Sequence, residues 1–306
     1  MEETLKSLLK YLRVLLTLII LISFGEVTFA QGKDIKFKRI TIEDGLSQTT
    51  VNDIYQDNQG YIWIATADGL NRYDGKKFKV YKYKDGKNVT IPSDYICKVA
   101  EDKDENLWVA TNKGLSKISK DRKKIHNYVS DIRDENSLSH YNVRHVLVDS
   151  KDRLWVGTEQ GLNLYDRKKN KFYRFYVEGL SDEYNIENYI LTIEEDKDGV
   201  IWVGTKKGAY FLDEEKKVLK NFEGIGTEEH INNIYTLSNG DILFAIKDNG
   251  FKKYNKKEES VKEFKNNEGN KNLLPHNSVE TILEDFDGNL WVGTKDGIAV
   301  QRKGEN

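Results

Sequence analysis

A single tryptophan position, returning along the chain, limits the fold more than any other feature. Trp63, Trp108, Trp155, Trp202 and Trp291 are spaced by 45, 47, 47 and 89 residues, and Leu243, in GDILFAIKDNG, stands in for tryptophan inside the last interval. All five tryptophans of the chain occupy this one place in the repeat. A period of 40 to 50 residues signals an array or a propeller.

Nine residues before the tryptophan position stand Ile54, Val99, Val146, Ile193, Ile234 and Ile282; twelve before stand Val51, Ile96, Val143, Ile190, Ile231 and Val279. Only β-branched aliphatics occur at either place, as a buried strand favours. A turn rich in Asp, Asn and Gly follows, such as QDNQG or EDKDG, and then the tryptophan strand. A second Gly-bearing turn (TNKGL, TEQGL) leads to a third strand such as LNLYD, and a charged turn leads to a fourth run such as KFYRFYV. The repeat therefore predicts an all-β fold, a β-propeller of about six four-stranded blades with a period of about 45 to 47 residues. The units start near residues 47, 93, 139, 187, 229 and 276 within a domain of residues 31 to 306. The tryptophans are expected to pack between blades, where a buried aromatic covers about 150 to 250 Å².

The sixth unit ends after its third strand, while IKFKRITIEDG, residues 35 to 45, resembles an orphan fourth strand such as KFKVYKYKDG. The expectation is that this N-terminal segment completes the last blade and covers its edge. Ahead of it, Lys6, Lys10 and Arg13 precede the apolar run VLLTLIILISF, and Thr28 and Ala30 give a small-residue cleavage pattern. Residues 1 to 30 read as a secretory signal peptide, or as a membrane anchor if uncleaved, although an 11-residue run is short for a span. Either reading places the propeller outside the cytoplasm.

The motif built of a Ser-containing entry, a β-branched strand, D-x-x-G, L-W-V-G-T and x-x-G-L-x-x-Y-D resembles the two-component regulator propeller repeat. That family forms extracytoplasmic sensor regions of hybrid histidine kinases and of some diguanylate cyclases. The resemblance implies a sensor module rather than an enzyme, signalling to a histidine kinase or diguanylate cyclase output module in cis or in trans. It also implies polysaccharide breakdown products as ligands and membrane attachment only through the N-terminal segment or a C-terminal span. Family rings are often seven-bladed, whereas six copies are found here.

Ligand contacts on such a scaffold are expected where the segments entering the innermost strands meet the central channel. Four of the five histidines, His140, His145, His230 and His276, lie in those segments, with Asp94, Tyr95, Tyr141, Arg144, Asn188, Tyr189, Asn232 and Asn277. Tyrosine faces can stack on sugar C–H patches while Asn, Arg and His bond hydroxyls. These residues differ from copy to copy, unlike Trp63, Trp108, Trp155, Trp202 and Trp291, which read as structural, inter-blade residues.

Other chemistry finds little support. With 48 basic and 50 acidic residues no net field favours nucleic acid, and the lone Cys97 excludes a disulfide framework and multi-thiolate zinc. The D-x-x-G turns are too short for a calcium loop, and no phosphate loop, H-E-x-x-H or nucleophile elbow is present, so no catalytic residue, metal or cofactor is assigned. The alternatives to a ligand-sensing propeller are a protein-interaction platform on the cell surface and a propeller lyase or hydrolase.

Overall fold

A computed structural model describes residues 38–85, 90–180, 185–266 and 274–304. Blade one comprises β1 Val51–Gln56, β2 Ile62–Thr66, β3 Gly69–Tyr73 and β4 Phe78–Tyr81; blade two, β5 Ile96–Glu101, β6 Leu107–Thr111, β7 Gly114–Ile118 and β8 Ile125–Tyr128. Blade three holds β9 Val143–Val148, β10 Leu154–Thr158, β11 Gly161–Asp166 and β12 Lys171–Phe175; blade four, β13 Ile190–Glu195, β14 Ile201–Thr205, β15 Gly208–Asp213 and β16 Val218–Asn221. Blade five holds β17 Ile231–Thr236, β18 Ile242–Ile246, β19 Gly250–Asn255 and β20 Ser260–Phe264, and blade six β21 Val279–Glu284, β22 Leu290–Thr294 and β23 Gly297–Gln301. Every sheet is an antiparallel meander in chain order, and together they make a six-bladed β-propeller within the compact unit Ile40–Asn306.

The turns explain why the strands pair in this register. At Gly114, the first residue of β7, φ is 132°, and a Cβ would lie 2.5 Å from the Tyr128 carbonyl oxygen, so only glycine lets the hairpin close against the outer strand. Gly204, inside β14, has no such φ constraint but leaves room for Thr192 and for Ile231 of the next blade, whose methyl groups would sit 2.6 and 2.7 Å from a Cβ.

The aspartates that open the turns before the tryptophan strands serve as more than turn formers. Asp57, Asp102, Asp149, Asp196 and Asp285 each accept the indole N–H of their own blade's tryptophan, at 2.7, 2.8, 2.9, 2.8 and 2.8 Å. A cation from the following blade then reaches back to three of them: Arg122 to Asp57 at 2.8 Å, Arg167 to Asp102 at 2.8 Å and Lys256 to Asp196 at 2.7 Å. Burial pushes the Asp102 carboxyl up, but the Trp108 indole, the Asn106 amide and Arg167 outweigh it and hold the group below its ordinary range. At the junction of blades three and four Glu214 occupies the cation's place. There Arg153 bridges the two acids, 2.6 Å from Asp149 and 2.8 Å from Glu214.

Five apolar clusters fill the junctions between successive blades. Trp63, Trp108, Trp155, Trp202 and Leu243 each belong to the cluster shared with the blade that follows. Trp291 of blade six is only partly buried, and no cluster joins blade six to blade one among the described residues.

One expectation falls only partly on the described residues. Within residues 35 to 45, the described part from Lys38 onward contains no strand, and the sixth sheet has three strands among the described residues. Ile42–Asp44 form a 3-10 turn instead, closed by a reciprocal capping box between Thr41 and Asp44 and ended by Gly45 at φ 104°. Residues 35 to 37, and the leader at residues 1 to 30, lie outside the described residues. No described helix is long and apolar enough to cross a membrane.

Candidate functional site

The six innermost strands share one irregularity. Each carries a β-bulge one residue after its first aliphatic, at Asn52, Cys97, Arg144, Leu191, Asn232 and Glu280. A bulge leaves its extra residue outside the ladder and re-aims its side chain, so six side chains of five kinds are freed at equivalent points around the axis. Asn52 and Asn232 use that freedom to bond the next inner strand, donating to the Ile96 and Val279 carbonyls at 2.7 and 2.9 Å. Asn232 also donates to Glu280 at 3.2 Å.

Arg144 differs from both. Its guanidinium has no hydrogen-bond or ion-pair partner among the described residues, although its field reaches Cys97 and Tyr189. Around it, Glu159, from the turn between β10 and β11, accepts hydrogen bonds from the Asn142 amide at 2.6 Å and from the Tyr189 hydroxyl. Lys206, from the equivalent turn of blade four, holds its ammonium 3.5 Å above the Tyr189 ring. Burial, then the Glu159 bond, pushes the Tyr189 phenol up to about 12. Burial also pushes the Cys97 thiol up to about 11, so Cys97 is a neutral, poorly nucleophilic neighbour.

Beside this group His140 is buried, its Nδ1 accepting the Asn142 N–H at 3.2 Å, and its ring lies 4.1 Å from that of Tyr141. Tyr141 is 56% exposed and is the accessible aromatic of the cluster, because Lys206 covers a face of Tyr189. Burial lowers the His140 pKa against the pull of Glu159. His145, one residue after the bulge, has an Nδ1 shut from solvent without a partner, and burial, then Lys98, pushes its pKa well down. Both rings are therefore neutral at physiological pH.

The remaining sequence candidates stand elsewhere. His230 lines an open depression of about 510 Å³ with Glu228, Glu229, Ile246, Lys247, Asp248 and Asn249. Its pKa is lowered by burial and then by Lys247 and Lys206. His276 accepts the Ser278 N–H through Nδ1 at 2.8 Å, a local turn contact. Asp94, Asn188 and Asn277 share one repeat position, two residues before the inner strand. Their side-chain oxygens accept the N–H of Tyr83, Val177 and Asn266 at 2.6, 2.9 and 2.7 Å, pinning the chain that leaves the preceding outer strand. Tyr95 contributes backbone bonds to Ser93 and Asn112. The structure thus gathers His140, Tyr141, Arg144 and Tyr189, and adds Glu159, Asn142, Cys97 and Lys206, none of which the entry segments alone singled out.

The sequence profile described as "Two component regulator propeller" matches residues 45–68, 90–113, 137–160, 186–207 and 273–296. Five of the six repeat units therefore match the two component regulator propeller repeat. Each match spans an inner strand, the D-x-x-G turn and the tryptophan strand, so the family signature covers the scaffold and the entry segments together.

Among solved structures, this regulator propeller is similar to the extracellular domain of a putative hybrid two component system of B. thetaiotaomicron, with 25% identity and a TM-score of 0.65. The match covers 86% of this chain and 41% of that one. A curated relative, Histidine kinase P4 of Formosa agariphila, is 48% identical over 65 residues, 21% of this chain and 5% of the relative. The chain therefore spans less than half the length of either. Virginiamycin B lyase of Staphylococcus aureus shares the fold at 13% identity and a TM-score of 0.65, covering 88% of this chain and 85% of the lyase.

Proposed function

We propose that this regulator propeller is the exported, ligand-reading part of a two-component-type signalling protein. An oligosaccharide or other small ligand binds at the entry face of blades three and four, and a histidine kinase or diguanylate cyclase module, in cis or in trans, carries the signal onward. The carrying observation is Arg144, a guanidinium freed by a bulge and without an ion-pair partner among the described residues, whose field reaches Tyr189 and Cys97 in the sector that also holds the exposed Tyr141. Arginine presents five donors in a planar fork, suited to a carboxylate, a sulfate or paired hydroxyls. Tyr141 supplies the apolar face and Glu159 an acceptor for a sugar hydroxyl. The extracellular sensor neighbour and the histidine kinase relative support the signalling assignment and the extracytoplasmic location.

Thermal melts of residues 31 to 306 against a panel of neutral and acidic oligosaccharides test this reading. Ligand at 100 times its dissociation constant adds about 2.7 kcal/mol. In a domain of this size that raises Tm by roughly 5 to 10 °C. Arg144→Gln and Tyr141→Ala should remove the shift and leave the unliganded melt in place. A panel that moves neither the parent nor the variants contradicts the reading.

A further inference from the structure

The turn that follows the second strand of each blade opens, in chain order, on Ala67, Asn112, Glu159, Lys206, Lys247 and Lys295. Five of these six donate their backbone N–H to the carbonyl of the residue just before the same blade's inner strand, Glu159 to Asn142 at 3.2 Å and Lys247 to His230 at 2.9 Å among them. The turn residue therefore stands at the entry of its own inner strand. Charge is uneven around this ring: blades one and two carry none, blade three an acid, and blades four, five and six a lysine.

A further contact steps from one blade to the next. Glu159 of blade three accepts the Tyr189 hydroxyl at the entry of blade four, and the field of Lys206 in blade four reaches His230 at the entry of blade five. Lys206 covers Tyr189 on one side and acts on His230 on the other, so the sector of Arg144 and Tyr189 adjoins the depression of about 510 Å³ that His230 and Lys247 line.

Acids also line this depression, but most are matched locally. Glu228 pairs with Lys207. One oxygen of Glu229 accepts Lys252 at 2.8 Å and the Asn249 amide at 3.0 Å, and the other is shut from solvent. Lys206 and Lys247 are in no ion pair among the described residues, which leaves the exposed Asp248 as the lining acid set against two ammonium groups. At His230 the lysines prevail: after burial, Lys247 and Lys206 act more strongly than the opposing Glu280 and Asp248. The ring is thereby neutral at physiological pH and keeps an N–H to donate.

We propose that the depression at blade five is the anion-holding end of the ligand site, taking a carboxylate or sulfate between Lys206, Lys247 and the His230 N–H, so that the ligand is an acidic oligosaccharide lying across blades three to five. This assignment, which rests on blades three and four being the ligand face, gives each part of the ligand its own partner. Tyr141 meets a sugar face, Arg144 a polar group and the blade-five lysines the anion, through charge-assisted hydrogen bonds stronger than neutral ones.

Two matched pairs of probes test it: an oligogalacturonate with its carboxyl-reduced counterpart, and a sulfated dextran oligomer with its unsulfated parent. Affinities are read by titration calorimetry on residues 31 to 306, which contain the compact unit Ile40–Asn306. The acidic member of one pair should bind at least about tenfold more tightly than its neutral partner, as charged hydrogen bonds do. Lys247→Gln should remove that preference, whereas Lys123→Gln, which deletes the same charge from a turn at the other end of the strands, should keep it. Rising salt should shrink the preference. Bound anion should also raise the His230 pKa, followed by the imidazole proton resonance that His230→Gln deletes. Which pair responds separates carboxylate from sulfate. Equal binding of acidic and neutral partners, equal losses in Lys247→Gln and Lys123→Gln, or an unmoved His230 resonance would each overturn the anion assignment. So would binding of neither acidic probe. A neutral oligosaccharide whose binding is lost in Arg144→Gln and kept in Lys247→Gln would leave the reading of blades three and four standing without it, and binding that survives both substitutions would remove the two together.

Discussion

Replacing Arg122 by Met should cost about 3 to 5 kcal/mol, the range seen when one partner of a buried ion pair is removed. The guanidinium lies 2.8 Å from Asp57 and 3.1 Å from Glu101, also donates to the Glu105 carbonyl at 2.7 Å, and its side chain is 4% exposed. It stands 5.6 Å from the Trp63 ring centroid, so charge, hydrogen bonds and a cation–π contact meet at one junction. Methionine keeps most of the apolar stem and removes the charge, leaving two carboxylates facing each other with side-chain exposures of 0 and 1%. The comparison is Lys82→Met, which breaks the 2.7 Å pair with Asp68, where the side chains are 39 and 45% exposed. That surface pair is worth about 0 to 1 kcal/mol. Urea unfolding followed by tryptophan fluorescence measures both, the midpoint shift multiplied by m giving each loss. A loss below about 1 kcal/mol for Arg122→Met, or one equal to that of Lys82→Met, would refute the view that the back-reaching cations hold the blades together.

Gly204→Ala should destabilise by about 1 to 3 kcal/mol by overpacking, since the new methyl meets Thr192 and Ile231 well inside contact distance; a urea titration reads it. Burial pushes the Glu194 carboxyl up to about 7, so its ionisation opposes folding. With the folded pKa above the unfolded value, stability falls as pH rises from about 4.5 through 7. Glu194→Gln, which keeps an acceptor for the Thr236 N–H, should flatten that fall, and melts at pH 5 and pH 8 compare the two. Trp155→Ala should cost about 3 to 5 kcal/mol and Trp291→Ala clearly less, because Trp155 is 1% exposed and Trp291 is only partly covered; paired denaturation curves decide.

The scaffold was legible because its determinants are local and repeated. The β-branched pair, the D-x-x-G turn and the tryptophan recur in register, and each acts within its own blade or on the next. In the segment at residues 35 to 45, the Thr41–Asp44 capping box that shapes the second half was not legible, because it is a contact between two ordinary polar residues. At the site, copy-to-copy variation drew attention to the entry segments, among which the structure brings His140, Tyr141, Arg144 and Tyr189 into one sector. Asp94, Asn188 and Asn277 share one offset from the inner strand, and an Asp or Asn recurring at one repeat position fits the shared backbone contact they make. Glu159 and Lys206 came from turns between second and third strands, and nothing in their immediate sequence shows that both meet Tyr189, Glu159 from the preceding blade and Lys206 from the same one. The bulges were invisible because the chain around them keeps an ordinary strand composition.

The most direct test of ligand reading by blades three and four is hydrogen–deuterium exchange on residues 31 to 306 with the oligosaccharide that raises Tm. Protection is predicted in residues 139 to 145, in the turn at Glu159 and at residues 187 to 192, and it should vanish in Arg144→Gln. Protection confined to the depression around His230, or to the outer strands, would contradict the account.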